Sequence, residues 1–586
     1  MDISKLNNKQ KEAVMHINGP LLILAGPGSG KTRVLTNKIA YLIENKYALP
    51  TEILAITFTN KAAKEMKDRV YKLIGNDAYN IQLSTFHSFG LRILRENYDK
   101  VDLNKNFAII DESDSLSLIK KILKDLNIDE KMFSPKYIKN RISSLKNDLI
   151  DISSHNKYFK GDIEDKINKI YKKYQELLLK YSSVDFDDLL YLPVKLFKEN
   201  KDILKMYQEL FKYIFIDEYQ DINEAQYILI KMIASKYQNI TVVGDESQNV
   251  YSWRGTNYKN ILNFEKDYKN VKLILLEQNY RSTKTILSAA NDVIKNNKER
   301  KDKNLWTDNK KGPKIKYIRA NSEKDECNIV IDEIKKLNET IDLKDMAVLY
   351  RTNAQSQIVE RIFLKNNIPY KLIGAYTYYS RKEIKDLLAY LKLINNTQDN
   401  ISLLRCINIP KRGIGKKTIE DLELEANHQN RAIFDVIDSG KPLEFKKMIK
   451  ELIKVKDNIS LTELVDLILD KTSMIEELKK EKTIESISRI ENLNEFKSIT
   501  KEFKDMSLEN FLLEISLVSD INENKEDNKG VSLMTLHSAK GLEFDVVFII
   551  GLEEGIFPHI NSIEEDNLEE ERRLFYVAIT RSKEHL

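Results

Sequence analysis

The chain has 586 residues, with 94 Lys+Arg against 90 Asp+Glu (net +4), 42% hydrophobic and 31% charged residues. That composition excludes a disordered, collagen-like or disulfide-rich chain. It allows roughly three to five domains or subdomains and puts any affinity for polyanions in local grooves rather than in bulk charge. The two cysteines, Cys327 and Cys406, suit a reducing compartment. With no basic-then-apolar leader and no run of about 18 apolar residues, a cytoplasmic location and no membrane partner are expected.

In chain order, the apolar run Leu21 to Leu24 ends in the glycine-rich turn AGPGSGKT, and RVLTNKIAYLIE continues as a helix. The runs ILAITF, YIFID and NITVVGD follow as strands ending at Phe58, at Asp217-Glu218 and at Asp245. Strands alternating with helices, with polar motifs at strand ends, predict parallel α/β sheets carrying the site along that edge. Between Phe107 and Ser183 the texture is helical and Lys-rich. After Arg281 a second alternating region begins, with KIKYIRA and MAVLY as strands, and 396–529 is again helical and charged. VSLMTLHSAKG and DVVFIIG restore the alternation.

The fold class expected is α/β, two parallel-sheet domains each interrupted by a helical insertion. The first sheet domain is assigned 1–107 and 184–282, with the insertion 108–183. The second is assigned 283–395 and 530–586, with the insertion 396–529.

The glycine-rich turn fits a relaxed phosphate-loop pattern, because Ala25 stands where the strict form has glycine. Gly26, Pro27, Gly28, Ser29 and Gly30 curl backbone N–H groups around a phosphate at the positive end of the next helix. Lys31 reaches the β- and γ-phosphates, and Thr32 ligates Mg²⁺. Asp217 and Glu218 divide the remaining labour, Asp217 in the Mg²⁺ shell and Glu218 on the attacking water. Nucleoside triphosphate hydrolysis is the chemistry implied; what it drives is left open by these motifs.

Further stretches address that question together: LNNKQKEAV, TFTNKAAKEM (57–66), STFHSF (84–89), VGDESQNVYSWRGT (243–256), LEQNYRS (276–282), TLHSAKGLEFDVVFI (535–549) and EEERRLFYVAITRSKEHL (569–586). With these the chain resembles a superfamily 1 DNA helicase of the UvrD/PcrA/Rep type. RKEIKDLLAYLKLI (381–394) and INIPKRGIG (407–415) bring it nearest the PcrA members. The resemblance implies two RecA-like motor domains, ATP as the nucleotide, and 3′-to-5′ unwinding in repair or replication. It also implies a site drawn from both domains. Gln10 would read the adenine edge, Tyr280 stack on the ring and Arg33 flank it. Gln248 would sense the γ-phosphate, Arg281 and Arg581 would stabilise the transferred phosphoryl, and Glu543 would contact the nucleotide.

For DNA, the resemblance implies stacking by Phe58, Tyr251 and Trp253, with His87, Arg254, Arg351, Asn353, His537 and His559 along the track. Gly413 and Gly415, before Lys416 and Lys417, resemble a helix–hairpin–helix turn for duplex phosphate, or else a plain helix stop. The basic stretch NKERKDKNLWT (297–307) is either a backbone contact or a solvated loop. Single-stranded DNA and single/double-strand junctions are the partners implied, with repair or transcription proteins beside them, for a chain monomeric in isolation. Family members commonly carry an acidic residue at the position of Ser247 and serine at that of Asn249, which bears on coupling. They also continue past the position of Leu586, so the second sheet domain is expected to be incomplete. A translocase that strips proteins from single strands, and an inactive DNA-binding fragment, are the alternative readings.

Overall fold

The computed structural model describes residues 3–155, 159, 161–251, 256, 259–298, 300–301, 303–373, 379, 381–429, 431–481, 484–503, 506–518, 530–564 and 567–586. The strands, in chain order, are β1 (Leu21–Ala25), β2 (Ile53–Thr57), β3 (Gln82–Thr85), β4 (Ala108–Ile109), β5 (Ser183–Val184), β6 (Tyr213–Ile216), β7 (Ile240–Gly244), β8 (Lys272–Leu276), β9 (Met346–Tyr350), β10 (Tyr370–Ile373), β11 (Val531–Thr535), β12 (Phe544–Ile549) and β13 (Ser582–His585). One sheet has six strands in the order β3-β2-β6-β7-β1-β8, and a second has five in the order β10-β11-β9-β12-β13. Every pairing in both is parallel.

The central strands LLILA, ILAIT, ITVVG and MAVLY are buried along their whole length. A parallel sheet covered by helices on both faces requires this, which is why these strands read as unbroken apolar runs. The strand order also sets the site. In the first sheet β6, β7 and β1 are neighbours, so the turns that follow them lie side by side at one edge.

The chain divides into two compact units, one holding 1–86, 197–375 and 522–586, the other 87–196 and 376–521. Both sheets belong to the first unit. The second is helical, and among its described residues the only strands are the short parallel pair β4-β5.

These divisions differ from the expected boundaries at 107, 184 and 395. The helix Phe86–Glu96 presses Gly90 onto the Leu189 carbonyl, leaving no room for a Cβ. Leu91, Leu94, Phe107, Val184 and Leu192 share one apolar cluster there. The helix Lys382–Asn395 buries Ile384, Leu387, Leu391 and Ile394 against Phe445, Leu464 and Phe511. It is a bundle helix, not a sheet-covering one.

KIKYIRA, expected as a strand, is irregular and exposed, Tyr317 to 84%. Its alternating apolar residues Ile315 and Tyr317 meet no strand among the described residues. Only the Lys316 N–H donates to a neighbouring backbone, at Leu586 O, 3.0 Å. Among the described residues no helix is long and apolar enough to cross a membrane.

Candidate ATP and DNA site

The turn after β1 leads into the helix Lys31–Glu44, whose N-cap Gly30 has φ +83° and offers no side-chain bond. The first-turn N–H groups therefore point into the loop hollow, where an anion is favoured. Gly28 also lies in the left-handed region, at φ +66°. The Ser29 hydroxyl closes the loop by donating to Gly26 O at 2.7 Å.

Lys31 Nζ is buried and donates to no acceptor, and its nearest carboxylate oxygen, on Glu218, is 3.9 Å away. Thr32 lies half-buried in the same first turn. Past β6, Asp217 is buried and accepts the Glu218 N–H at 2.9 Å, with Glu218 itself at φ +51°. Burial and the adjoining Glu218 charge push the Asp217 carboxyl up to about 7. Burial also pushes Glu218 upward, but the Lys31 and Lys540 ammonium groups outweigh it and hold Glu218 below the usual range.

Gln10 is buried against this loop. It closes a capping box with Asn7, accepting the Asn7 N–H at 3.1 Å, and its Nε2 donates to Ser29 O at 3.0 Å. Tyr280 is nearly half exposed, its N–H on Gly28 O at 2.9 Å and its hydroxyl donating to Gln278 Oε1 at 2.9 Å. Arg33 is exposed and donates to Lys5 O. A Cβ at Gly26 would fall inside the Leu305 side chain, which is itself buried.

Past β7, the Asp245 N–H donates to Gln220 Oε1 (2.9 Å), and Gln248 Nε2 donates to Asp245 Oδ2 (2.8 Å). Residues of the second sheet reach the same edge. Arg581 Nη2 lies 3.4 Å from Gln248 Oε1, and its Nε donates to Val577 O at 2.9 Å. Arg281 pairs with Glu543 at 2.7 Å and donates to Thr580 O at 3.1 Å. Burial raises the Glu543 carboxyl, but the Arg281 guanidinium overrides it and lowers it. Lys540 ion-pairs with Asp221 and donates to Gln248 O at 2.7 Å. The sequence reading missed this lysine; its place in SAKG, after a strand end, was the available signal.

Phe58 and Tyr251 stack at 5.6 Å with 15° between their planes. Tyr251 donates to His537 O at 3.1 Å, and Lys540 Nζ lies 5.2 Å from its ring centroid. Arg351 grips Glu571 with Nε and Nη2, the latter at 2.8 Å, and the His559 N–H donates to the same carboxylate. A hollow of about 620 Å³ beside them is lined by Thr352, Ala354, Gln355, Arg361 and His559, with exposed Asn353 in the same turn. His87 belongs to the helical unit, its ring 5.7 Å from Phe186. Trp253 and Arg254 lie outside the described residues.

In the helical unit, Gly413 takes φ +69° and Gly415 caps the helix Lys416–His428. Arg412 Nη1 donates to the carbonyls of Cys406 and Ile409 at 3.1 and 3.0 Å, which holds the preceding loop. The basic stretch 297–307 is neither freely solvated nor turned outward at its centre, because Lys303 is buried between Asp245 and Glu246.

Comparison with known proteins adds family to geometry. Residues 6–269 match the family described as UvrD/REP helicase N-terminal domain, and residues 274–586 match the UvrD-like helicase C-terminal domain. Over 608 residues the chain is 49% identical to the ATP-dependent DNA helicase PcrA of Bacillus subtilis (strain 168), covering all of this chain and 82% of that protein. It is 48% identical over 605 residues to the protein of the same name from Staphylococcus aureus (strain Mu50), covering 100% and 83%. The same identity and coverage hold for that of Staphylococcus epidermidis (strain ATCC 35984).

Proposed function

The chain belongs to the UvrD/REP helicase family, and from that premise we propose that it is an ATP-dependent DNA helicase that moves 3′-to-5′ on single-stranded DNA and opens duplex in repair and replication. The observation that carries the reading is the meeting of Gln248, from the first sheet, with Arg581, from the second, at the edge that holds the phosphate loop. A site completed by two domains changes when either moves, and this is how hydrolysis is converted into stepping.

In this reading the Lys31 ammonium, which makes no hydrogen bond, and the first-turn N–H groups after Gly30 take the triphosphate, with the backbone of Ala25 to Ser29 around it. Tyr280 offers an open ring face to adenine. Gln10 exchanges its bonds to Ser29 and Asn7 for the base edge, and Arg33 flanks it. Thr32 and Asp217 supply the hard oxygen donors that Mg²⁺ requires and would hold it, where it neutralises charge on the phosphates.

Glu218, kept ionised by Lys31 and Lys540, orients water and accepts its proton. Gln248 senses the γ-phosphate position. Arg281 and Arg581 balance the charge of the transferred phosphoryl, and Glu543 holds Arg281 until nucleotide arrives.

Single-stranded DNA is assigned to the Phe58–Tyr251 stack with His537, Arg351, Asn353 and His559; Trp253, Arg254 and, in the helical unit, His87 are assigned DNA contact from the family resemblance alone. Gly413 and Gly415 take duplex phosphate at the junction. A cytoplasmic location follows from the same reading.

The test is strand release from duplexes with 3′ tails, 5′ tails or blunt ends, alongside ATP hydrolysis with and without oligo-dT. Release from 3′ tails, lost in Lys31→Ala, is expected; release only from 5′ tails would refute the polarity.

A further inference from the structure

The stretch 297–307 carries a lysine whose surroundings fit neither DNA contact nor solvent. Lys303 retains 6% side-chain exposure and ion-pairs with both Asp245 and Glu246, which retain 0% and 1%. The Glu246 contact is 2.8 Å. The chain on either side is pinned. The Lys301 N–H donates to Glu246 Oε1 at 3.2 Å, the Asn304 N–H to Glu277 Oε1 at 2.9 Å, and Leu305 exchanges hydrogen bonds with the Asn291 side chain.

We propose that Lys303 is a positioning residue for ATP hydrolysis: its ammonium locks the two buried carboxylates so that Asp245 presents one oxygen to the Gln248 amide and thereby aims that amide at the phosphoryl site. Asp245 Oδ1 is taken by Lys303 and by the Ser247 N–H, at 3.1 Å. Only Oδ2 is left, and it receives Gln248 Nε2 at 2.8 Å. With Nε2 committed, Gln248 turns Oε1 toward Arg581 Nη2. Burial alone would lower the lysine and raise the aspartate; their mutual attraction reverses both, holding Lys303 charged and Asp245 ionised. Without the ammonium, two adjacent buried anions face each other. Asp245, stripped of its nearest counter-charge, turns away, and Gln248 loses its acceptor. None of these hydrogen bonds involves Lys31, Thr32 or Tyr280, although the Lys31 charge also acts on Asp245; the effect expected is therefore mainly on the chemical step.

The inference rests on the proposed role of Gln248, and the experiment separates the two. Steady-state ATP hydrolysis at saturating oligo-dT is compared for the parent, Lys303→Met, Lys303→Arg and Gln248→Ala, with thermal unfolding as the folding control. In Lys303→Met, kcat is expected to fall about 10- to 100-fold with KM for ATP nearly unchanged. Lys303→Arg, which can still bridge two carboxylates, is expected to recover most of it. If Lys303→Met does not fold, Lys303→Gln, which removes the charge but keeps a donor, is read by the same criteria.

A folded Lys303→Met with parental kcat overturns the inference, as does a folded Arg variant no better than Met. A defect confined to the oligo-dT concentration needed, with full kcat at saturation, also overturns it, because the lysine would then be a backbone contact. Parental kcat in Gln248→Ala would instead remove the proposed sensor role itself.

Discussion

Replacing Arg581 by methionine separates catalysis from stability in a way the structure specifies. The guanidinium is almost wholly buried, and its contacts are neutral: the carbonyls of Val577 and Leu542, the Thr580 hydroxyl and the Gln248 amide oxygen. Burial and the neighbouring Arg281 charge push it down to about 9, so the fold disfavours the very charge it carries. Methionine forfeits neutral hydrogen bonds worth about 1 kcal/mol each, and removes a desolvated cation that costs a comparable amount. The net change in unfolding free energy should therefore stay within about 2 kcal/mol. An arginine acting on a transferred phosphoryl contributes about 10³–10⁵ in kcat, or about 4–7 kcal/mol of transition-state stabilisation. Urea unfolding and oligo-dT-stimulated ATP hydrolysis measure the two quantities on one preparation. A kcat within tenfold of the parent would refute the assignment, and a stability loss of about 4 kcal/mol or more would show that the side chain is structural.

Two further outcomes follow from other parts of the molecule. Phe58→Ala removes one face of the stack with Tyr251 and should weaken oligo-dT binding by about 1–3 kcal/mol, read by fluorescence anisotropy; an unchanged dissociation constant would take Phe58 off the track. In the helical unit, Asp111 sits 2.9 Å from Lys385. Burial raises its carboxyl, but Lys385 and Lys392 outweigh burial and hold it well below the carboxylate range. A depressed folded value means that the stabilisation is complete above the unfolded value of about 3.9 and is lost as pH falls through the folded one. Asp111→Asn, which can keep the helix cap, should therefore destabilise in full at pH 7 and by somewhat less at pH 3, where the loss has only begun. An equal loss at both would refute the ion pair as its source.

Much of the fold was legible because parallel strands buried on both faces leave unbroken apolar runs, and because glycines and carboxylates terminate those runs at one edge. The gathering of Lys31, Glu218, Gln248 and Asp245 at that edge follows from strand order, to which the α/β pattern pointed. KIKYIRA misled because alternation records only that a segment can be half-covered, not that a neighbour is there to cover it. The helix Lys382–Asn395 misled for a related reason: its apolar residues extend around most of its surface, and a linear reading does not say which unit encloses them. The engagement of both amide atoms of Gln10, and the pairing of Arg351 with Glu571, were not visible, because motif membership carries no information about the partners present. Lys303 shows the limit most sharply. Its local surroundings in the chain are those of a solvated basic loop, and only the return of that loop to the turn after β7 brings it between two carboxylates.

The contact between Gly26 and Leu305 has an evolutionary consequence. Two positions far apart in the chain share a single volume, the first opening the phosphate loop and the second following Lys303 by two residues. A side chain at 26 would have to displace the end of Leu305. Substitution at 26 is therefore coupled to the residue at 305, and a graft of the loop from a relative would carry part of its compatibility in a residue that no loop motif includes.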